Sequence, residues 1–266
     1  MIGVLRAELL KVRADRPSRV LVLLAFLLGI GSAVLTGVLT IRPELAAGTP
    51  VTVLGRDPAA VVGIYNGTIP MTRLLALVAG VMAMCREYSH KTLALTYLST
   101  PNRYSVVAAK AAVQALVGLV IGLAGALLGV VVGAVFVVLT DGSFFLDRGA
   151  TWGALLFGVL SIVIWSLIGC AAGVLIRDVV VTLAVALGFS FLVDPTLAVI
   201  FAEQGWTLAQ NLLPSGATAA MVQSHSVLMM LSAEPFPPGL AFLVLIGWFL
   251  IPGVIGTWLT VGRDVE

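Results

Sequence analysis

Six apolar runs, each near the length a helix needs to cross a bilayer, alternate with short polar stretches along the 266 residues. The pattern predicts spans over about 20–41, 65–85, 108–139, 152–176, 179–200 and 240–260. Ahead of the first, Ile2, Leu5, Leu9 and Val12 recur at near-helical spacing while Arg6, Glu8, Lys11 and Arg13 take other faces, and Pro17 reads as a stop. Residues 1–19 are therefore read as an amphipathic helix lying at the membrane interface, with a plain basic flank of span 1 as the alternative. Asn66, Gly67 and Pro70 make the outer part of span 2 irregular. Residues 201–239, with Pro214, Gly216, Pro235, Pro237 and Pro238, are too broken to span but can dip into the outer leaflet as short helices.

Composition fixes the class. Apolar residues make up 60% of the chain and charged residues 11%, where a soluble globule carries about a quarter charged. The chain reads as an all-α membrane protein, a single six-span domain over residues 1–266 with no separate soluble domain. Nucleic acid is not an implied partner. Basic residues set the orientation: Arg6, Lys11, Arg13, Arg16, Arg19, Arg86, Lys91, Arg103, Lys110, Arg177 and Arg263 fall on one side and Arg42, Arg56 and Arg148 on the other. The positive-inside bias puts both termini and the 86–107 connection in the cytoplasm. Cys85 and Cys170 sit in apolar runs as small core residues, without disulfide or metal-ligand spacing. In span 3, Gly118, Gly122, Gly125, Gly129 and Gly133 line one helix face, suited to close packing inside the bundle or, as the alternative, to a dimer seam. Trp152, Trp206, Trp248 and Trp258 lie mostly near span ends, as an aromatic belt.

Little in the chain suggests chemistry of its own. It contains no Gly-Lys pair and hence no GxxxxGK[ST] phosphate loop, so nucleotide hydrolysis would belong to another chain and no cofactor is expected on this one. Within the spans the titratable candidates are Arg73 and Asp194. Arg73 should face the bundle, pair with an acid or reach the outer interface. Asp194, before Pro195, reads as a kink near the outer end of span 5. His225 reads as an outer-face polar residue near a gate. Arg73, Asp194 and His225 are the candidates for a pathway or gate. A polytopic enzyme or assembly factor using Arg73 and Asp194, or an ion-coupled secondary transporter, are the alternatives to the reading that follows.

Charge and aromatic residues gather mid-chain only between Arg86 and Lys110. There Glu87, then Lys91-Thr92-Leu93, then Leu98-Ser99-Thr100-Pro101, with Arg103 and Lys110, resemble the first cytoplasmic loop of type 2 ABC exporter permeases, the class that includes bacterial drug and bacitracin-type exporters. Lys91 stands where glycine is usual, and Arg103 follows Pro101 more closely than in the common form. The layout of six spans, short turn after span 4 and long outer segment before span 6 is also similar to that family, as is Leu212-Leu213-Pro214. The resemblance implies a permease subunit of an exporter, multidrug efflux included, in the bacterial plasma membrane. It would work as a homodimer or heterodimer with a second permease subunit, over two copies of an ATP-binding subunit that carries the ATP and Mg. It also implies a coupling helix seated on that ATPase, with Glu87, Tyr88, Lys91, Thr92, Leu93, Leu95, Tyr97, Leu98, Pro101 and Arg103 as the contact residues.

Overall fold

The computed structural model describes residues 10, 16–41, 58–89, 103–222 and 235–261. Ten α-helices and one π-turn run through these residues: α1 Arg16–Ile41, α2 Pro58–Tyr65, α3 Ile69–Ser89, α4 Arg103–Leu139, α5 Gly149–Ile176, α6 Val179–Gly188, a π-turn Phe189–Val193, α7 Asp194–Glu203, α8 Thr207–Leu212, α9 Pro214–Met221 and α10 Pro238–Val261. Among them, six stretches are long and apolar enough to cross a membrane: Val20–Thr40, Pro58–Arg86, Val106–Leu139, Gly149–Ile176, Val179–Glu203 and Pro238–Leu259. The protein is therefore an all-helical, multi-pass membrane protein, and the six expected spans are present. The interfacial helix over 1–19 lies mostly outside the described residues. Pro17 does not stop a helix; it sits in the first turn of α1, where its missing N–H has no intrahelical partner to lose.

Alternating crossings give the bundle two ends, named here for the turns they carry. The Arg177 end holds the tight turn between α5 and α6, and the Asp141 end holds the loop between α4 and α5. Spans 2 and 4 form the centre: 56% and 61% of their most apolar stretches are buried, against 17–28% for the other four spans. Exposed leucines and valines on α1, α4, α6 and α10, such as Leu27, Leu127, Val180 and Val254, give those helices the outward faces expected beside lipid.

Span 2 breaks at Asn66-Gly67-Thr68, and the break is packed against α4. Gly129 meets the Tyr65 carbonyl so closely that a β-carbon would overlap it, and Gly133 meets the Tyr65 ring in the same way. Thr68 Oγ1 donates to the Gly125 carbonyl at 3.1 Å, so a side chain at the break ties span 2 to α4. Further along α4, Gly118 and Gly122 face the Val163 and Val159 backbone of α5. The glycine stripe thus packs inside the bundle, which is the first of its two expected uses.

Span 5 departs from expectation at Asp194-Pro195. The helix is not interrupted there; it runs on to Glu203, and the disturbance is the π-turn just before it, with the Asp194 N–H bonded to the Phe189 carbonyl. Proline removes one donor and crowds the carbonyl four residues back, and widening the turn ahead of it relieves that crowding while the axis continues. After Glu203 the chain turns back into the bundle as α8 and α9. Ala217, Ala220 and Met221 of α9 pack with Ile164 of α5 and Ala241 and Leu245 of α10, well inside the membrane-spanning length. Residues 207–221 are thus a re-entrant helical hairpin, as the broken pattern of that segment suggested.

Candidate functional site

Polar side chains converge inside the bundle where α3, α5, α7 and α9 meet. At 1.5 Å per residue, Arg73 stands about 20 Å along the helix from Arg86, Trp165 about 16 Å from Ile176 and Asp194 about 22 Å from Val179. All three therefore share one depth, far from either end. Asp194 is fully buried and about 14 Å short of Glu203, so its place is interior and not the outer rim expected from the sequence.

The contacts are specific. Arg73 lays its guanidinium over the Trp165 ring, 5.1 Å from its centroid, a cation–π contact of about 1–2 kcal/mol where water is excluded. The Trp165 indole N–H donates to Thr218 Oγ1 at 2.9 Å, and Thr218 Oγ1 donates to the Pro214 carbonyl at 2.7 Å. Asp194 takes two bonds from the start of α9, one from Ser215 Oγ at 2.9 Å and one from Ser215 N at 3.2 Å. It also lies within electrostatic reach of Arg73. The two carboxylate bonds place negative charge at the N-terminal turn of α9, where the helix dipole favours it. The cluster ties the re-entrant hairpin to spans 2, 4 and 5, bringing together Arg73 and Asp194, which sequence alone left in separate helices.

A second cluster closes the Arg177 end. Cys85 Sγ lies 3.5 Å from Thr182 Oγ1, 3.7 Å from the Asp178 carbonyl and 3.8 Å from the Gly173 carbonyl. Asp178 caps α6 by accepting the Val181 N–H at 2.8 Å. Arg177, in the left-handed conformation with φ 68°, carries its guanidinium 5.8 Å from the Tyr88 ring. Tyr88 in turn packs on Met84, Cys170 and Val174. Both cysteines are buried, as expected of small core residues.

The remaining expected contact residues fall at or beyond the edge of what is described. Glu87 lies in the last turn of α3 and Arg103 opens α4, each placed by its backbone only. Lys91, Thr92, Leu93, Leu95, Tyr97, Leu98, Pro101 and His225 lie outside the described residues. Trp165, Ser215 and Thr218 were not anticipated. A tryptophan in an apolar run looks like any membrane-facing aromatic, and only the spacing of Ser215 and Thr218, three apart after Pro214, hints at a polar helix face. Trp248 also departs from the aromatic belt: it lies mid-helix in α10, stacks obliquely on Phe189 at 5.4 Å and donates to the Leu212 carbonyl at 2.9 Å.

An apolar groove of about 580 Å³ runs between α4, α5 and α10, lined by Ala108, Ala111, Ala171, Phe249, Val254 and Trp258 among others. No charged group lines it, so it suits hydrocarbon and offers no chemistry. No model of a known protein family matches the chain, and no curated protein matches it either.

Proposed function

We propose that the chain is the membrane-spanning permease subunit of an ATP-driven exporter, working as a dimer and driven through its 86–107 segment by a separate ATP-binding subunit. The observation that carries the transport part is Arg73. Deep in span 2, its guanidinium lies inside the bundle over the buried Trp165 ring, with Asp194 in electrostatic reach. A charge kept at that depth costs on the order of 3 kcal/mol or more, and intramembrane charge of this kind faces the bundle interior or a water-filled path, which supports a route for solute. A six-span half-channel paired with a second copy would provide one.

The ATP-driven part rests on the resemblance of the charged segment and on how that segment begins. Tyr88 is clamped under Arg177, so a push on residues 86–107 would be shared at once with the start of span 5. Purification of the chain from its own membranes, with sequencing of whatever accompanies it in fixed ratio, tests this. A partner bearing GxxxxGK[ST] should appear, and Leu95→Asp should release it and abolish solute movement. A chain that moves solute with no ATP-hydrolysing companion would overturn the proposal.

One observation favours a second reading, an ion-coupled carrier: Asp194 is a fully buried carboxylate at interior depth, the kind of group such carriers use. The two readings separate in intact vesicles. Collapse of ion gradients with ATP present stops the carrier and leaves the ATP-driven exporter running.

A further inference from the structure

Helices α4 and α10 both pack along α5 but touch each other little, and toward the Arg177 end this leaves the apolar groove of about 580 Å³ between them. Small residues give it depth: Ala108 and Ala111 on α4, Ala171 on the α5 floor and Gly253 on α10. Along α10 it runs from Phe249 to Trp258, about 14 Å at 1.5 Å per residue. That length is one leaflet's share of a hydrocarbon core about 30 Å thick. The groove is open sideways to the bilayer, since Ala108, Leu250 and Val254 on its walls are exposed.

Charge enters only where the groove reaches the Arg177 end. Arg103 stands one turn before Val107, on the strip of α4 that continues to Ala111, and Lys110 is the other charged residue of that helix. Neither α5 nor α10 contains a charged residue, and Arg177 follows α5 directly. Its guanidinium lies over Tyr88, which packs on Cys170 and Val174 of the floor. The walls and the residue closing α5 thus contribute three cations and no acid. Two acids stand at the same end, Asp178, whose carboxylate caps α6, and Glu87 on α3, and neither belongs to a wall. Trp258, 73% exposed, completes this end with the kind of ring that sits at headgroup level.

These features specify something long, thin and apolar with an anionic head. A helix about 10 Å across would fill roughly 1,000 Å³ over the same length, so a span of a second copy is too broad for the groove. A hydrocarbon chain is not, and basic groups between helix ends attract the phosphate of anionic lipids. We propose that the groove holds one acyl chain of an anionic phospholipid, with the phosphate drawn to the Arg177 end by Arg103, Lys110 and Arg177. The site is separate from the Arg73 cluster, and it stands whatever drives the chain and whichever side of the membrane that end faces.

Native mass spectrometry of the full chain released from detergent tests this, with phosphatidylglycerol and phosphatidylcholine of identical acyl chains as the titrants. Phosphatidylglycerol should saturate at one tightly held lipid per chain, and phosphatidylcholine should bind at least fivefold more weakly. Arg103→Gln should raise the half-saturating concentration of phosphatidylglycerol about fivefold, the worth of roughly 1 kcal/mol for one basic residue near the membrane surface, and leave that of phosphatidylcholine unchanged. Ala108→Phe, which puts a ring into the groove from an exposed position, should weaken both lipids more than tenfold, the worth of about two buried methylenes. Equal affinity for the two lipids overturns the proposal, as does wild-type binding of phosphatidylglycerol by Ala108→Phe. A lipid-free dimer that Ala108→Phe splits also overturns it and gives the groove to a second copy. Should Ala108→Phe fail to fold, Gly253→Leu fills the groove from α10, where a β-carbon meets Ala171 at 3.6 Å and Phe249 at 3.8 Å, both ordinary contacts.

Discussion

At the scale of single residues, Trp165 is the hinge of the interior cluster, and Thr218 is what fixes it. The indole N–H is buried, with Thr218 Oγ1 its acceptor, and the same hydroxyl donates its own hydrogen bond to the Pro214 carbonyl of α9. Thr218→Val keeps the shape and removes the acceptor, so the expected outcome is a loss of about 1–3 kcal/mol of stability, the desolvation penalty of an orphaned donor. Trp165→Phe removes donor and cation–π platform together, and in the Thr218→Val background it should add less than it does alone. Thermal unfolding of the four proteins in detergent, as a double-mutant cycle, checks both statements; additive losses would mean that the two side chains do not act as a pair. Sequence made Arg73 and Asp194 visible one at a time, since a charge inside an apolar run cannot be missed. Their meeting was not visible, because residues so far apart in the chain are joined by packing, which leaves no periodicity behind.

At the scale of elements, glycine decides how closely span 3 approaches the break in span 2. A β-carbon on Gly129 would overlap the Tyr65 carbonyl, and backbone cannot step aside as a side chain can. Gly129→Ala should therefore force α4 away from α2, at about 1–3 kcal/mol as for other overpacked sites. Gly153 on α5 has open space where a β-carbon would stand, and Gly153→Ala should be neutral or slightly stabilising through helix propensity. The yield of folded protein and its unfolding midpoint distinguish the two; equal behaviour would show that the close approach contributes nothing. Elements were the most legible part of the sequence, because length, hydropathy and small-residue spacing are local properties. Asp194-Pro195 misled for a local reason as well: proline signals a stop, but a π-turn ahead of it lets the helix pass, and that accommodation depends on neighbours.

At the scale of the whole molecule, the two clusters are connected by span 5. Its start is held to span 2 at the Arg177 end through Cys85 and the Tyr88–Arg177 stack, and its middle is held to the re-entrant hairpin through Asp194 and Ser215. A displacement entering at Tyr88 thus meets a stiff strut, α6 to α7, whose far contact lies beside Arg73. If the chain is the driven subunit proposed above, Arg177→Ala should loosen the entry of that strut and leave the interior cluster alone. One cation–π contact is worth about 1 kcal/mol, so solute movement should fall roughly fivefold while ATP hydrolysis by the bound partner stays within about twofold. Arg177→Lys, which keeps the charge but not the planar stack, should fall in between. Parallel assays of ATP turnover and solute flux in proteoliposomes read this out as the number of ATP molecules used per solute moved. A ratio unchanged from wild type would mean that the strut carries no motion and that residues 86–107 act on the bundle by another route.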